Sequence, residues 1–221
     1  MAALCALIGR ALARRSGTPD SFTPSESALA VRGDLTRDTI LVRLQASSLA
    51  CLRALVAGDL GTAEIESRLS FAARVWPDDF DMREGLSVHL AACERNADDM
   101  QWRVYLIADP ADEAIGHTGF KGGPTKSGEL EIYWCVEPRW RRRGIATAAA
   151  ASLCRFAFAR ANVTAVTATI ARGNIASQHV AVALGMSNGG DVRYGMPLWR
   201  LPRADWQPAA MPAPLPEIVA A

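Results

Sequence analysis

Pro138-Arg-Trp-Arg-Arg-Arg-Gly-Ile-Ala-Thr147 is the stretch on which the reading of this chain turns. The run before it, Glu129 to Val136 (ELEIYWCV), is strand-like and stops at Glu137-Pro138, because proline restricts the residue before it and donates no ladder hydrogen bond. A helix is expected from near Gly144, with Ile145, Ala149, Leu153 and Phe156 on one face. Four consecutive alanines, Ala148 to Ala151, allow that helix to pack closely on a sheet. The pattern Arg141-x-x-Gly144-x-Ala146 therefore places a tight glycine turn at a strand-to-helix junction. Small residues there let the first backbone N–H groups face outward together, and with the positive helix end they form a cradle for phosphate or pyrophosphate. Flanking guanidiniums reinforce it. The junction is not a Walker A loop, since GxxxxGK[ST] is absent, and no GxGxxG points to a dinucleotide fold.

Working outward, Thr39 to Gln45 reads as a β-branched strand, followed by a helix capped by Ser47 or Ser48 with Leu49, Leu52, Val56 and Leu60 as its stripe. Asp81-Met-Arg-Glu84 has the form of a capping box for a second helix that buries Met82, Leu86, Leu90 and Cys93. Strands are expected at Arg103 to Ala108 and Ala114 to Phe120, joined across the turn-rich Asp109 to Glu113. Downstream, Val163 to Ile170 is a Val/Thr-rich strand, and Asn174 caps a helix that ends at Leu184-Gly185. Met196 to Leu201 is the last expected strand, with Pro197 confining it to an edge or its first residues. Strands and helices in this order predict an α/β domain, a single mixed central sheet flanked by helices.

The 221 residues carry 24 basic and 23 acidic side chains, 22 of the former being arginine. One medium-sized domain with tails is expected: an N-terminal extension over 1–37, a domain over 38–203 and a Pro/Ala-rich disordered tail over 204–221. Gln207 to Pro216 holds four prolines in ten residues, which sustain neither a helix nor a central strand. Met1 to Thr18 places Arg10, Arg14 and Arg15 behind its apolar stretch, the reverse of a secretory signal. No apolar run reaches the ~18 residues of a transmembrane helix. Near-neutral charge excludes a broad basic footprint, so nucleic acid and membrane are not expected as partners. Five scattered cysteines and three histidines show no metal or redox spacing, so no metal is expected, and a reducing, cytoplasmic setting is.

Four stretches taken together resemble the GNAT superfamily of N-acetyltransferases. Its Gln/Arg-x-x-Gly-x-Gly/Ala signature is matched by Arg141, Gly144 and Ala146. Ile115-Gly-His-Thr-Gly-Phe120 resembles the family's third strand, and Glu131-Ile-Tyr-Trp-Cys-Val-Glu-Pro138 its fourth. Asn174-Ile-Ala-Ser177 through Leu184-Gly185-Met186 resembles its Asn-x-x-Ser…Leu-Gly-Phe helix. The resemblance implies the acyl-CoA N-acyltransferase fold with a splay between the family's fourth and fifth strands, acetyl-CoA as co-substrate, and a primary amine as acceptor attacking directly in a ternary complex. The overall pattern looks closest to bacterial ribosomal-protein and general acetyltransferases, for which a protein N-terminus and a small-molecule amine both fit.

Residue by residue, the resemblance implies that Arg141, Arg142, Arg143, Gly144, Ile145, Ala146 and Thr147 hold the pyrophosphate, with Asn174 and Ser177 as cofactor contacts on the next helix. A main-chain amide around Cys135 or Val136 is implied to polarise the thioester carbonyl, with Val136 also touching the cofactor. Glu131 matches the family's acidic strand position and is the expected general base, with Glu129 on the same side of the strand as its alternative. The tyrosine that many members use to protonate the leaving thiolate is replaced by Ala181; Tyr133, Tyr194, Ser177 or solvent are the substitutes. His89 and His179 are expected to be structural or surface groups, Cys135 inert packing, and Trp76, Trp102, Trp134 and Trp199 core or cleft walls. Asp78, Asp79 and Asp81 read as a solvated turn or as a site for a cationic acceptor. The competing reading is a non-catalytic acyl-CoA-binding or interaction module of the same fold.

Overall fold

The computed structural model describes residues 27–32, 41–72, 76, 80–95, 102–208 and 214–219. In chain order the elements are β1 (Ser27–Arg32), β2 (Leu41–Ala46), α1 (Leu49–Ala57), α2 (Leu60–Ser67), β3 (Ser70–Phe71), α3 (Phe80–Arg95) and β4 (Val104–Ala108). They continue as β5 (Glu113–Phe120), β6 (Glu129–Val136), α4 (Ile145–Phe158), β7 (Ala165–Thr169), α5 (Ile175–Ala183), β8 (Ser187–Arg193), β9 (Met196–Pro202) and β10 (Pro214–Val219). The sheet runs β10-β1-β2-β4-β5-β6-β7-β9-β8, with the short β3 beside β5. Only β6–β7 and β3–β5 are parallel among the described pairs.

Both faces of this sheet are covered. Along β4 every residue is buried: Val104, Leu106 and Ala108 pack with Leu52, Leu55, Trp76 and Leu86 on one side, while Tyr105 and Ile107 face the opposite core. That second core takes Leu130, Ile132 and Val136 from β6 and the buried alanines Ala148 to Ala151 from α4, whose small side chains bring the helix close to the strands. The fold class expected from the sequence is the one observed.

Several boundaries differ from the expectation for identifiable reasons. The first helix stops at Gly58, in the left-handed region at φ 77°, and Asp59 accepts from the Thr62 N–H to start α2, so Leu60 opens a new helix instead of closing the old one. Strand β8 (SNGGDVR) has no apolar alternation and is exposed along almost its whole length, which is why the periodicity missed it. Two strands extend the sheet beyond the 38–203 boundaries. β1 lies within the expected extension, and β10 within the expected disordered tail. Pro214 is the first residue of an edge strand and Pro216 falls at a register shift opposite β1, the two positions at which a sheet tolerates proline. The rest of the extension, Asp78, Asp79 and residues 209–213 lie outside the described residues.

Helix α3 is tied to the sheet through a buried histidine. His89 is 1% exposed, its Nδ1 lies 3.2 Å from the Phe120 carbonyl, and its Nε2 lies 3.2 Å from Cys93 Sγ. A carbonyl only accepts, so Nδ1 carries the proton and Nε2 is left to accept from the thiol. Burial drives the His89 pKa from 6.5 down to about 4, against a smaller opposing effect of the backbone bond. Between these values the unfolded chain binds a proton that the folded chain refuses, so stability falls as pH is lowered through that window. At 1.36 kcal/mol per unit the loss is about 3 kcal/mol. Urea unfolding at pH 7, 5 and 4 is expected to show it, and His89→Gln to flatten the dependence.

Candidate functional site

Strand β6 loses one neighbour partway along. It pairs with β7 at Glu129↔Ala165, Leu130↔Val166 and Glu131↔Thr167, then runs on to Val136 with no rung to β7. Its other edge stays paired to β5 up to Gly116↔Val136. The strands diverge because each keeps its second partner: β7 is held by β9 along its whole length, while β6 follows β5.

The register decides which amides face the gap. Lys121 N–H donates to the Glu131 carbonyl and Glu137 N–H to the Ile115 carbonyl, so odd-numbered residues of β6 turn their backbone groups toward β5. The even ones, Ile132, Trp134 and Val136, turn theirs toward the missing partner. Of the two amides left open by the sequence, Val136 thus faces the gap and Cys135 faces β5. Trp134 is a gap-facing amide that sequence reasoning missed, since only the register identifies it.

The gap leads to the start of α4. Arg142 (φ 59°) and Gly144 (φ 77°) both sit in the left-handed region, and the helix begins at Ile145 with no side-chain cap and no acidic residue in its first turn. By contrast Ser48, Asp59 and Asn174 cap α1, α2 and α5. The first amides of α4, at Ile145, Ala146 and Thr147, are therefore without a side-chain acceptor beside an exposed arginine-rich turn. Unsatisfied N–H groups, the positive helix end and nearby guanidiniums fit the phosphates of a CoA ester.

The arginines divide their work. Arg139 pairs with Glu113 and with the buried Glu137 carboxylate. Arg141 donates from Nε to the Val136 carbonyl at 2.7 Å, tying the turn to the end of β6. Arg143 lies over the Trp140 ring at 5.1 Å, and Arg142 is exposed. Asn174 spends its side-chain oxygen on the Ser177 N–H, so both residues of the expected cofactor contact are joined in a helix cap.

Glu131 sits on the last rung before the gap, five residues before Val136 and about 16 Å from it along an extended strand. Its side chain is 9% exposed and bonded to Lys121 Nζ and Arg193 Nη1, each at 3.0 Å. Burial pushes its carboxyl up, and the Lys121 charge with hydrogen bonds from Lys121 and Arg193 outweighs that, holding it below the usual carboxylate range. Arg193 also reaches Glu129, which in turn meets Arg200. Arg193 and Lys121 were not singled out by the sequence, because Arg193 lies 62 residues from Glu131 and no local pattern joins them.

The other candidates fall elsewhere. Tyr133 points across β5: a Cβ on Gly119 would lie 3.2 Å from its hydroxyl, and burial pushes its pKa up. Tyr194 occupies the β8–β9 turn at φ 55°, Ala181 is buried, and His179 is exposed. Trp76 and Trp102 are core residues, while Trp134 and Trp199 are partly buried against the α4 side. Among the described residues no group of three or more His, Cys, Asp or Glu side chains could hold a metal ion, and no helix is long and apolar enough to cross a membrane.

The family model for the acetyltransferase (GNAT) domain matches residues 50–187, more than half of the chain and all of the gap and cradle. The chain belongs to the GNAT acetyltransferase family. The uncharacterized N-acetyltransferase YjdG of Bacillus subtilis is 36% identical over 73 residues, which make up 33% of this chain and 44% of that protein. The chain thus matches less than half the length of this curated relative. Mycobacterium smegmatis RimJ, solved with CoA-disulfide, superposes with a TM-score of 0.56 at 16% identity, covering 84% of this chain and 92% of that one. An acetyltransferase from Agrobacterium tumefaciens superposes at 0.51 and 16% identity, covering 84% and 99%. At these identities the likeness is one of fold.

The GNAT gap depends on close backbone contact behind it. A Cβ on Gly116 would lie 2.4 Å from the Cys135 carbonyl and 3.1 Å from Val136 Cα, both backbone atoms. Gly116→Ala is expected to cost about 1–3 kcal/mol through overpacking. Thermal and urea denaturation measure the loss.

Proposed function

We propose that this protein transfers an acetyl group from acetyl-CoA to a primary amine by direct attack in a ternary complex. The observation that carries the reading is a strand gap, with the Trp134 and Val136 amides facing it, that leads to the start of α4, a helix N-terminus with no side-chain cap. Bound acetyl-CoA would supply the acetyl group already activated as a thioester.

The chain's own residues then divide the task. The amides of Ile145, Ala146 and Thr147, with Arg142, Arg143 and the Gly144 turn, hold the phosphates. Arg141 fixes the turn against β6. The Trp134 and Val136 amides take a strand-like amide ligand along the gap and polarise the thioester carbonyl. Glu131, directly or through water, accepts the proton that the acceptor ammonium must lose before its nitrogen attacks the acetyl carbon. The carbon–sulfur bond breaks, the acetyl group leaves on nitrogen as an amide, and the thiolate departs or is protonated by solvent. Much of the acceleration comes from holding the two reactants together.

One observation favours the non-catalytic module instead. Ala181 is buried where many family members carry a tyrosine, so no acid from that position meets the thiolate. A thiolate is stable near its own pKa and needs no strong acid, so turnover survives this loss.

The test is acetyl-CoA calorimetry followed by CoA-thiol release against peptide N-termini, polyamines and aminoglycosides. Binding with release supports the enzyme, and binding without release on the whole panel supports the module. Gly144→Asp, which puts a negative side chain at a left-handed position, is expected to weaken acetyl-CoA binding at least about tenfold, or ~1.4 kcal/mol. Glu131→Gln is expected to lower turnover about 100-fold and change the pH–rate profile while CoA affinity holds.

A further inference from the structure

The acceptor side of the gap ends in a closed network of charge, in which Arg193 spans both carboxylates of β6. Its Nη1 lies 3.0 Å from Glu131 Oε2 and its Nη2 3.3 Å from Glu129 Oε2. Lys121 holds the other oxygen of Glu131 at 3.0 Å, and Arg200 holds Glu129 at 3.2 Å. Two carboxylates therefore meet three cations.

Arg193 is the member built to leave. It stands at the tip of the β8–β9 hairpin, next to Tyr194 at φ 55° and Gly195 at φ 77°. Strand β8 is almost entirely exposed, and it pairs with β9 only at Ser187, Asn188, Val192 and Arg193, with a register shift between. Beyond its short ladder to Pro197 and Met196, a tip with so little buried area is held by its ion pairs. Beside Glu131, on the in-register position of β7, Thr167 is fully buried and its hydroxyl has no hydrogen-bond partner among the described residues. A sealed hydroxyl of this kind calls for a donor or acceptor that the described residues do not provide. An amine N–H brought to the Glu131 side chain, on the same face as Thr167, would offer that partner once Arg193 has left.

We propose that Arg193 is an internal stand-in for the charge of the acceptor, and that the acceptor is an aliphatic amine with two or more positive charges which takes its place on Glu129 and Glu131. The second charge follows from the chemistry. The attacking nitrogen must be neutral, so a cation that replaces Arg193 through the reaction has to be a different one in the same molecule. The exchange is one cation for one, so the network keeps its charge balance. The inference rests on the acetyltransferase reading of the same gap.

Spermidine titrated calorimetrically into the CoA-bound protein tests it without any turnover. Arg193→Gln is expected to tighten spermidine at least tenfold with CoA affinity within twofold, and adding Glu131→Gln is expected to abolish the gain. Equal or weaker spermidine binding by Arg193→Gln overturns the proposal. So does equal tightening toward a dipeptide amide whose only charge is its α-amino group. Should Arg193→Gln fail to fold, Arg193→Lys serves, since one ammonium cannot span both carboxylates; severalfold tighter binding supports the stand-in, and unchanged affinity overturns it. Failure of the acetyltransferase reading appears separately, as absent CoA binding or no thiol release with any amine.

Discussion

Backbone groups in the middle of a sheet have to be paired, and β6 gives up its partner on one side after Glu131. Everything distinctive about the molecule follows from tolerating that loss. The strand keeps its place because β5 holds its other edge with a ladder running to Val136, and β7 can part from it because β9 pairs with all of β7. Gly116 and Gly119 on β5 let backbone approach where a Cβ would collide with a carbonyl. The row of gap-facing amides is thus fixed by the register of two neighbouring ladders and not by any side chain.

Charge is handled in the same local way. The chain is nearly neutral overall, with 24 basic against 23 acidic residues, yet four arginines crowd into Arg139 to Arg143. Arg139 is absorbed by two carboxylates and Arg141 by the Val136 carbonyl, so the cluster holds the turn in place as much as it attracts an anion. Only Arg142 and Arg143 remain on the exposed side of the cradle, with Arg143 resting on Trp140. In the proposed site, backbone N–H groups at the uncapped α4 terminus therefore carry much of the phosphate recognition, with the guanidiniums in support.

Local pattern made most of the architecture legible. Glu129 to Val136 was readable to the residue because Pro138 terminates it and the alternation is strong, and the caps were readable as Ser47 or Ser48 and as Asn174 because a cap's side chain acts within three residues. What the sequence hid was non-local. The Gly58-Asp59 break interrupts an apolar stripe that continues through Leu60, so periodicity ran straight across it. Strand β8 is an exposed edge strand whose pairing comes from β9 and not from its own composition. In the site, Glu131 was legible as a strand carboxylate, but its two cations come from a loop ten residues earlier and a hairpin 62 residues later. Likewise the choice between Cys135 and Val136 needs the register with β5, a property no single strand contains.

The two ends of the gap differ in what they ask of a ligand. At the α4 end the unmet groups are donors, positive and already arranged, so an anionic ligand binds there without displacing anything. At the Glu131 end the carboxylates are already satisfied by Lys121, Arg193 and Arg200, and a newcomer has to replace a partner. Removing a cation from a nearly buried carboxylate is costly unless another arrives at once, since an unpaired charge there loses both its hydration and its partner. On the proposed reading, occupancy of the acceptor side is an exchange and not a simple filling, and selectivity comes from how well the newcomer reproduces the guanidinium it evicts. A neutral amine gains nothing from Glu131 that Arg193 does not already supply better. A molecule with charge to spare can hold the carboxylates and still present an uncharged nitrogen to the gap. That separates recognition of the acceptor from its activation, two roles a single ammonium cannot fill together.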